Sequence, residues 1–220
     1  MAARDLTTGL SYSYGKSLRT ATASIVKVDI VIALLLQAQR EERGLTSAEK
    51  ALAERTITVS DNDAATALWH SIGGADGLAS ANRKLGLRDT EPGPGESWGS
   101  TTTSAADQIR LLAALTSRKS PLHSASRRYL RHLMRNVTPE QAWGVSAAGS
   151  DAEVKNGWLP RERHGGAWTV NSIGIVRQDG HTFLLAAVSE RDSTMQSGVQ
   201  AIEHIAETVT AALARASRDT

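Results

Sequence analysis

Residues 25–36 constrain this chain more than any other stretch. Nearly every position in the run is apolar, and it contains neither Gly nor Pro. It is too long for an ordinary strand, and a helix that is apolar all round has to be packed on every side. Yet its first turns carry Lys27 and Asp29. A lysine facing a packed interior is costly unless it has a partner or a depressed pKa. Ser24 stands three residues before Lys27, so the two side chains share one helix face, a turn apart. A hydroxyl beside a perturbed amine at a helix N-terminus has the makings of an activated nucleophile.

The totals narrow the surroundings of this helix. A chain of 220 residues builds one large domain or two interleaved lobes with a sizeable core. Lys+Arg 25 against Asp+Glu 23 is too balanced for a nucleic-acid binder. With no Cys there is no disulfide framework, thiolate metal site or thiol nucleophile. No apolar run reaches the length of about 18 residues that a membrane span needs. Residues 1–5 have no apolar leader segment, which fits a cytoplasmic protein or the mature form of an exported one. His70, His123, His132, His164, His181 and His204 are scattered without metal-ligand spacing, so no metal site is expected.

Along the chain, residues 6–15 alternate and end in Gly, which predicts a strand or short hairpin. The core helix follows over about 23–40. Thr46-Ser47-Ala48-Glu49 is a capping-box pattern opening a second helix. Further helices are predicted over 63–71 and 76–85, with Gly73-Gly74 and Gly86 as stops. Two Pro and three Gly make 88–100 the one long loop. Thr103 or Ser104 caps an amphipathic helix running through Leu115. An Arg-rich helix lies within 120–135, its charges read as a solvated face. From 150 the period turns to two, giving strands near 152–157, 171–176 and 182–188. Asp179-Gly180 marks a hairpin between the last two. A helix over about 197–215 closes the chain. This order predicts an α/β (α+β) sandwich. The sheet lobe comes from about 1–20 and 150–220, and an all-helical lobe of about 21–149 is inserted between.

Three short motifs bear on chemistry. Ser-x-x-Lys occurs as Ser13/Lys16, Ser24/Lys27 and Ser47/Lys50, and only the middle pair opens a buried helix. There the positive end of the helix dipole favours an oxyanion and a neutral amine. Ser60-Asp61-Asn62 is more specific, with a chance expectation of about 0.03 occurrences in such a composition; its bland reading is a helix N-cap before Asp63. Lys-x-Gly occurs at Lys84-Leu85-Gly86, a helix end, and at Lys155-Asn156-Gly157 on a predicted strand, where Gly permits close approach to the backbone. Trp98, Trp158 and Trp168 are candidates for lining a cleft, and Trp69 and Trp143 for the core.

Taken in order, a Ser-x-x-Lys helix, a Ser-x-Asn in the helical segment and a Lys-x-Gly strand resemble the penicilloyl-serine transferase superfamily, that is, class A β-lactamases and penicillin-binding proteins. Residues 99–104 also resemble the Thr-rich end of the class A Ω-loop. The resemblance implies a β-lactamase/transpeptidase-like fold, an antiparallel sheet flanked by N- and C-terminal helices. It implies a serine acyl-hydrolase acting on a β-lactam or related amide or ester, and no cofactor. Carried over residue by residue, Ser24 is the nucleophile, Lys27 its base, and Ser60 the proton relay to the leaving nitrogen. Asn62 binds a substrate amide and Lys155 attracts the substrate carboxylate. Asn156, Gly157 and Trp158 line the substrate's strand side, with the amides of Ser24 and Trp158 as the oxyanion hole. Partners are then a small-molecule substrate, with no nucleic acid and no membrane span, and the protein acts as a monomer. Family members are usually exported, so a secreted or cell-envelope location is implied, cytoplasmic being the alternative.

Three departures stand out. Position 156 is Asn where the family has Thr or Ser. Trp158 is bulky where a small residue is usual. The Ω-loop Glu with Asn four residues later is missing: Glu91 is followed at that spacing by Gly95, and Glu96 by Ser100. Glu96 is the better candidate for the deacylation base. Without such a base the acyl-enzyme is long-lived, which keeps open a D,D-peptidase-like enzyme or a binding and sensor module.

Overall fold

The computed structural model describes residues 1–216. Five strands form one antiparallel sheet: β1 (Ala2–Asp5), β2 (Ser11–Ser13), β5 (Ser150–Pro160), β6 (Trp168–Gln178) and β7 (His181–Val188), in the order β2-β1-β7-β6-β5. A small sheet pairs β3 (Thr20–Ala21) with β4 (Thr102–Thr103). The helices are α1 (Val26–Arg40), α2 (Ser47–Thr58), α3 (Asn62–Ser71), α4 (Gly74–Leu85), α5 (Ala105–Thr116), α6 (Ser124–Arg135) and α7 (Met195–Ala216). Helix α7 packs on one face of the sheet, and residues 2–5 form its strand β1. Among the described residues no helix is long and apolar enough to cross a membrane.

The period of two in the strands separates two cores. Ile173, Ile175, Leu184, Ala186 and Val188 face the helices and share a core with α1. Val154, Val170, Val176, Phe183, Leu185 and Ala187 face the other way, onto Val199, Ile202, Ala206 and Val209 of α7. The middle strands β6 and β7 are thus buried on both faces. Gln178 pairs with His181, and the two-residue turn between them places Asp179 at φ +50° and Gly180 at φ +81°. That is the left-handed geometry an Asp-Gly hairpin supplies.

Local chemistry sets the element ends. Thr46 accepts from the Glu49 amide at 3.2 Å while Glu49 accepts from the Thr46 amide at 2.7 Å, which completes the expected capping box. Ser104 caps α5 by accepting from the Asp107 amide at 3.1 Å. Two expectations need correction. The N-terminal hairpin uses strands at 2–5 and 11–13, earlier than residues 6–15 suggested. Asp5 ends its first strand by accepting from Thr7 N at 2.8 Å and Thr8 Oγ1 at 2.7 Å, which folds the following residues into the turn. The charges of α6 are also not all solvated. Arg131 donates to the fully buried Glu153 of β5 at 2.6 and 3.0 Å, and Arg135 bonds the same carboxylate. Burial alone would raise the Glu153 pKa, but the two guanidiniums bring it below the usual range. A strand glutamate gives no sequence sign that a helix twenty residues earlier will supply its counter-charges.

The core helix is as buried as its composition requires: twelve of its fifteen residues are inside. Asp29 is among them, and neither carboxylate oxygen has a hydrogen-bond partner. Burial, reinforced by the charge of Asp107, pushes its pKa up to about 8. The folded protein therefore holds a proton that an unfolded aspartate releases near pH 4. The stability tied to that proton is complete below the unfolded pKa and is lost as pH rises through about 8. Asp29→Asn keeps the shape without the charge. Its advantage over wild type in urea denaturation should be smallest near pH 4 and grow by about 1.4 kcal/mol for each pH unit up to about 8. A pH-independent difference would refute this account.

Candidate active site

The turn before α1 is gripped from three sides. Ala23–Ile25 form a 3-10 turn in which Ala23 takes φ +47°, an uncommon conformation for a residue with a Cβ. The amide of Thr22 donates to Thr101 O at 2.7 Å across the small sheet. The Asn171 amide, on β6, donates to Ala21 O at 2.8 Å and Thr22 O at 3.0 Å. Gly157 of β5 then presses on the same turn: a Cβ there would lie 2.5 Å from Ser24 N and 2.8 Å from Ile25 N. No side chain caps the start of α1, so the positive end of the helix is left to the turn that carries Ser24.

Ser24 lines a cleft of about 390 Å³ together with Asn62, Glu96, Trp98, Trp158 and Leu159. A neighbouring cavity of about 280 Å³ is lined by Ser24, Val59, Ser60, Asn62, Gln141 and Trp158. Behind this surface sit two buried amines. Lys27 Nζ donates to Ser60 O at 2.6 Å, Ser60 Oγ at 3.1 Å and Asn62 Oδ1 at 2.7 Å. Lys155 Nζ donates to the same Ser60 Oγ at 2.9 Å and to Asn156 O at 2.9 Å. Burial is the main reason that Lys27 falls to about pKa 7, with the charge of Asp61 acting against it. Burial, followed by the charge of Lys27, also holds Lys155 well below the ordinary amine range. Asp61 is fixed by capping α3 through Ala64 N at 2.9 Å and by an ion pair with Arg55. Ser60 itself stands at φ +58°, which turns both its carbonyl and its hydroxyl onto Lys27.

Among the expected residues, Ser24, Lys27, Ser60, Asn62, Lys155 and Trp158 gather in this one region. Three others do not do what was expected of them. Asn156 has no exposed surface, and its amide donates to Gln141 O at 2.8 Å and Trp143 O at 2.9 Å. Strand alternation puts it on the opposite face from Lys155, so it is not a cleft residue. On its Cβ side Gly157 is pressed against the backbone of the chain's own Ser24 turn, so the close approach there is made by the protein itself. Glu96 lies on the cleft wall, but its side chain is 72% exposed and meets His70 Nε2 at 3.0 Å. Its carboxylate is solvated, and the group above Lys27 is instead the ring of Trp98, with its centroid 5.0 Å from Nζ. Trp158 packs edge-on against Trp143, ring centroids 5.6 Å apart. Asn171 was missed by sequence reading, because a lone strand Asn carries no motif. Among the described residues no group of three or more His, Asp or Glu could hold a metal ion.

Residues 43–213 match the family model described as the beta-lactamase enzyme family. The chain belongs to that family. The matched segment includes Ser60, Asn62 and Lys155 and begins after Ser24 and Lys27. The fold is that of PBP-A, with a TM-score of 0.82, 22% identity, and coverage of 97% of this chain and 89% of that one. A variant of the reconstructed last common ancestor of Gram-negative class A beta-lactamases aligns with a TM-score of 0.79 at 22% identity, over 97% of this chain and 92% of that one. The "Putative lipoprotein LppW" of Mycobacterium tuberculosis is 33% identical over 110 residues. That alignment covers 50% of this chain and 35% of the relative, so the chain spans about a third of the length of the curated relative it matches.

The contact at Gly157 is open to a direct test. An added methyl would meet backbone atoms, which have no rotamer to retreat into. Gly157→Ala should destabilise the fold by about 1–3 kcal/mol, measured by urea denaturation. Wild-type stability in Gly157→Ala would show that this contact is not tight.

Proposed function

We propose that this chain is a serine acyl-transfer enzyme of the β-lactamase and penicillin-binding-protein type, acylated on Ser24 by a β-lactam or related amide or ester. One observation carries the reading: two buried amines of lowered pKa converge on the Ser60 hydroxyl, beside the cleft that Ser24 lines. In this reading Ser24 Oγ bonds to the substrate carbonyl carbon and its proton passes to neutral Lys27. The oxyanion is held by the amides of Ser24 and Trp158, donors of a kind worth a few kcal/mol each (roughly 3) in a dry site. Ser60 delivers a proton to the leaving nitrogen as the C–N bond breaks, and is resupplied by the lysines on either side. Asn62, whose Oδ1 is taken by Lys27, offers its Nδ2 to a substrate carbonyl. The sheet segments of about 1–20 and 150–220 and the helical segment of about 21–149 serve as the two walls of a single working unit.

The second reading, a D,D-peptidase-like enzyme or sensor that deacylates poorly, draws support from two features. Glu96 points to solvent, and an aromatic ring fills the space over Lys27. A mutant of PBP-A, one of the proteins sharing this fold, was solved as an acyl-enzyme complex with penicillin-G. Likeness to a protein named as a lipoprotein supports placement in the cell envelope.

Intact-protein mass spectrometry with benzylpenicillin, a chromogenic cephalosporin and a p-nitrophenyl ester decides between these. Wild type should gain one acyl adduct, and Ser24→Ala none. An accumulating adduct favours the slow-deacylating reading and rapid turnover favours the hydrolase; no adduct and no turnover refutes both. Because Lys27 has to be neutral to accept the proton, acylation should fall about tenfold for each pH unit below about 7. A rate that stays flat from pH 5 to 8 would remove Lys27 from the role of base.

A further inference from the structure

The loop side of Lys27 is closed by an aromatic ring. Its three hydrogen bonds use every N–H of an ammonium. The Trp98 ring lies against the amine, its centroid 5.0 Å from Nζ. This ring is held firmly. Its Nε1–H donates to Thr66 Oγ1 at 3.0 Å, one helical turn beyond Asn62 on α3. Its own carbonyl accepts from Thr101 N at 3.0 Å. The loop before it is pinned by Trp69 Nε1 to Gly95 O at 3.0 Å and by Gly93 N to Thr101 Oγ1 at 3.0 Å. Gly93 admits no side chain, since a Cβ there would lie 2.1 Å from Ser97 O. An indole is a donor only and cannot take a proton from water.

We propose that Trp98 is a positioning residue that keeps water away from Lys27 and from the acylated Ser24, and so sets the lifetime of the acyl-enzyme. The proposal rests on the acyl-serine reading above. Hydrolysis requires a water oxygen to bond to the acyl carbon while a base removes its proton. The bond from that carbon to Ser24 Oγ then breaks and Oγ regains a proton. The ring covers the loop side of the Lys27 amine and lines the same cleft as Ser24. The same exclusion maintains the burial that holds Lys27 low. The other charged groups around the amine are Lys155 from β5, Asp61 at the cap of α3, and the Glu96–His70 pair between the loop and α3.

The test compares wild type, Trp98→Ala and Trp98→Phe as full chains, acylated with benzylpenicillin or a p-nitrophenyl ester and freed of excess reagent. Acyl-Ser24 decay is followed by intact mass, and the pH profile of acylation is recorded for each. Trp98→Ala should lose its acyl group at least tenfold faster, and its acid limb should move up from about 7 by roughly one unit as water reaches Nζ. Trp98→Phe retains a ring face and should stay within twofold of wild type in both measurements. Trp98→Leu, with intermediate acceleration expected, takes the place of the Ala variant if that protein does not fold. Decay at the wild-type rate with an unmoved limb in Trp98→Ala overturns the proposal. Equal acceleration in Trp98→Phe overturns it too, since the ring would then not be the shield. Absence of any adduct on wild-type Ser24 defeats the acyl-serine reading itself, a result distinct from either.

Discussion

Two amines share one hydroxyl in the interior of this protein, and the rest of the structure makes that arrangement tenable. Each ammonium taken out of water needs several good hydrogen bonds to offset its lost solvation. Lys27 finds them in Ser60 and Asn62, both presented by the entry to α3. Lys155 finds them in Ser60 and in the strand backbone beside it. The charge of Lys27 adds to burial in making Lys155 easier to neutralise. Positions 27, 60 and 155 have to meet within a few ångströms, although they come from a core helix, a helix cap and an edge strand. That meeting explains why α1 is buried all round and why β5 runs past its start.

Much of the fold was legible, because it rests on local rules. The unbroken apolar run identified α1, the capping box placed α2, and Asp-Gly set the β6–β7 turn. The same holds for three of the site's groups, since Ser24, Lys27 and the Ser60-Asp61-Asn62 tripeptide carry their spacing within one element. What stayed hidden depended on which way a strand faces and on what lies opposite it. Asn156 reads as a cleft residue in the one-letter chain, but its neighbour Lys155 takes the cleft side and the pleat sends 156 the other way. Glu153 looks like an exposed strand charge until α6 folds against it. Asn171 has no motif, and its work is done on carbonyls about 150 residues away in sequence.

The loop over 88–100 shows a related limit. Its Pro and Gly content predicted irregular backbone, and that is what forms. Composition does not say which side chain such a loop turns inward. Sequence reading preferred Glu96 to Glu91 although neither has the expected Asn partner, whereas Trp98 two positions later is drawn in by its packing and by Thr66. A carboxylate at the exposed tip loses nothing by staying in water; an indole gains both apolar burial and a bonded N–H by leaving it.

Ser60 brings a tension of its own. Its left-handed backbone is a conformation in which glycine is at ease and a residue with a Cβ is strained. The substitution that would relax this peptide most is therefore also the one that deletes the oxygen between the two amines. Selection for sturdiness alone and selection for chemistry pull this position in opposite directions. A glycine at 60 would ease the turn and leave the two amines without the acceptor they share.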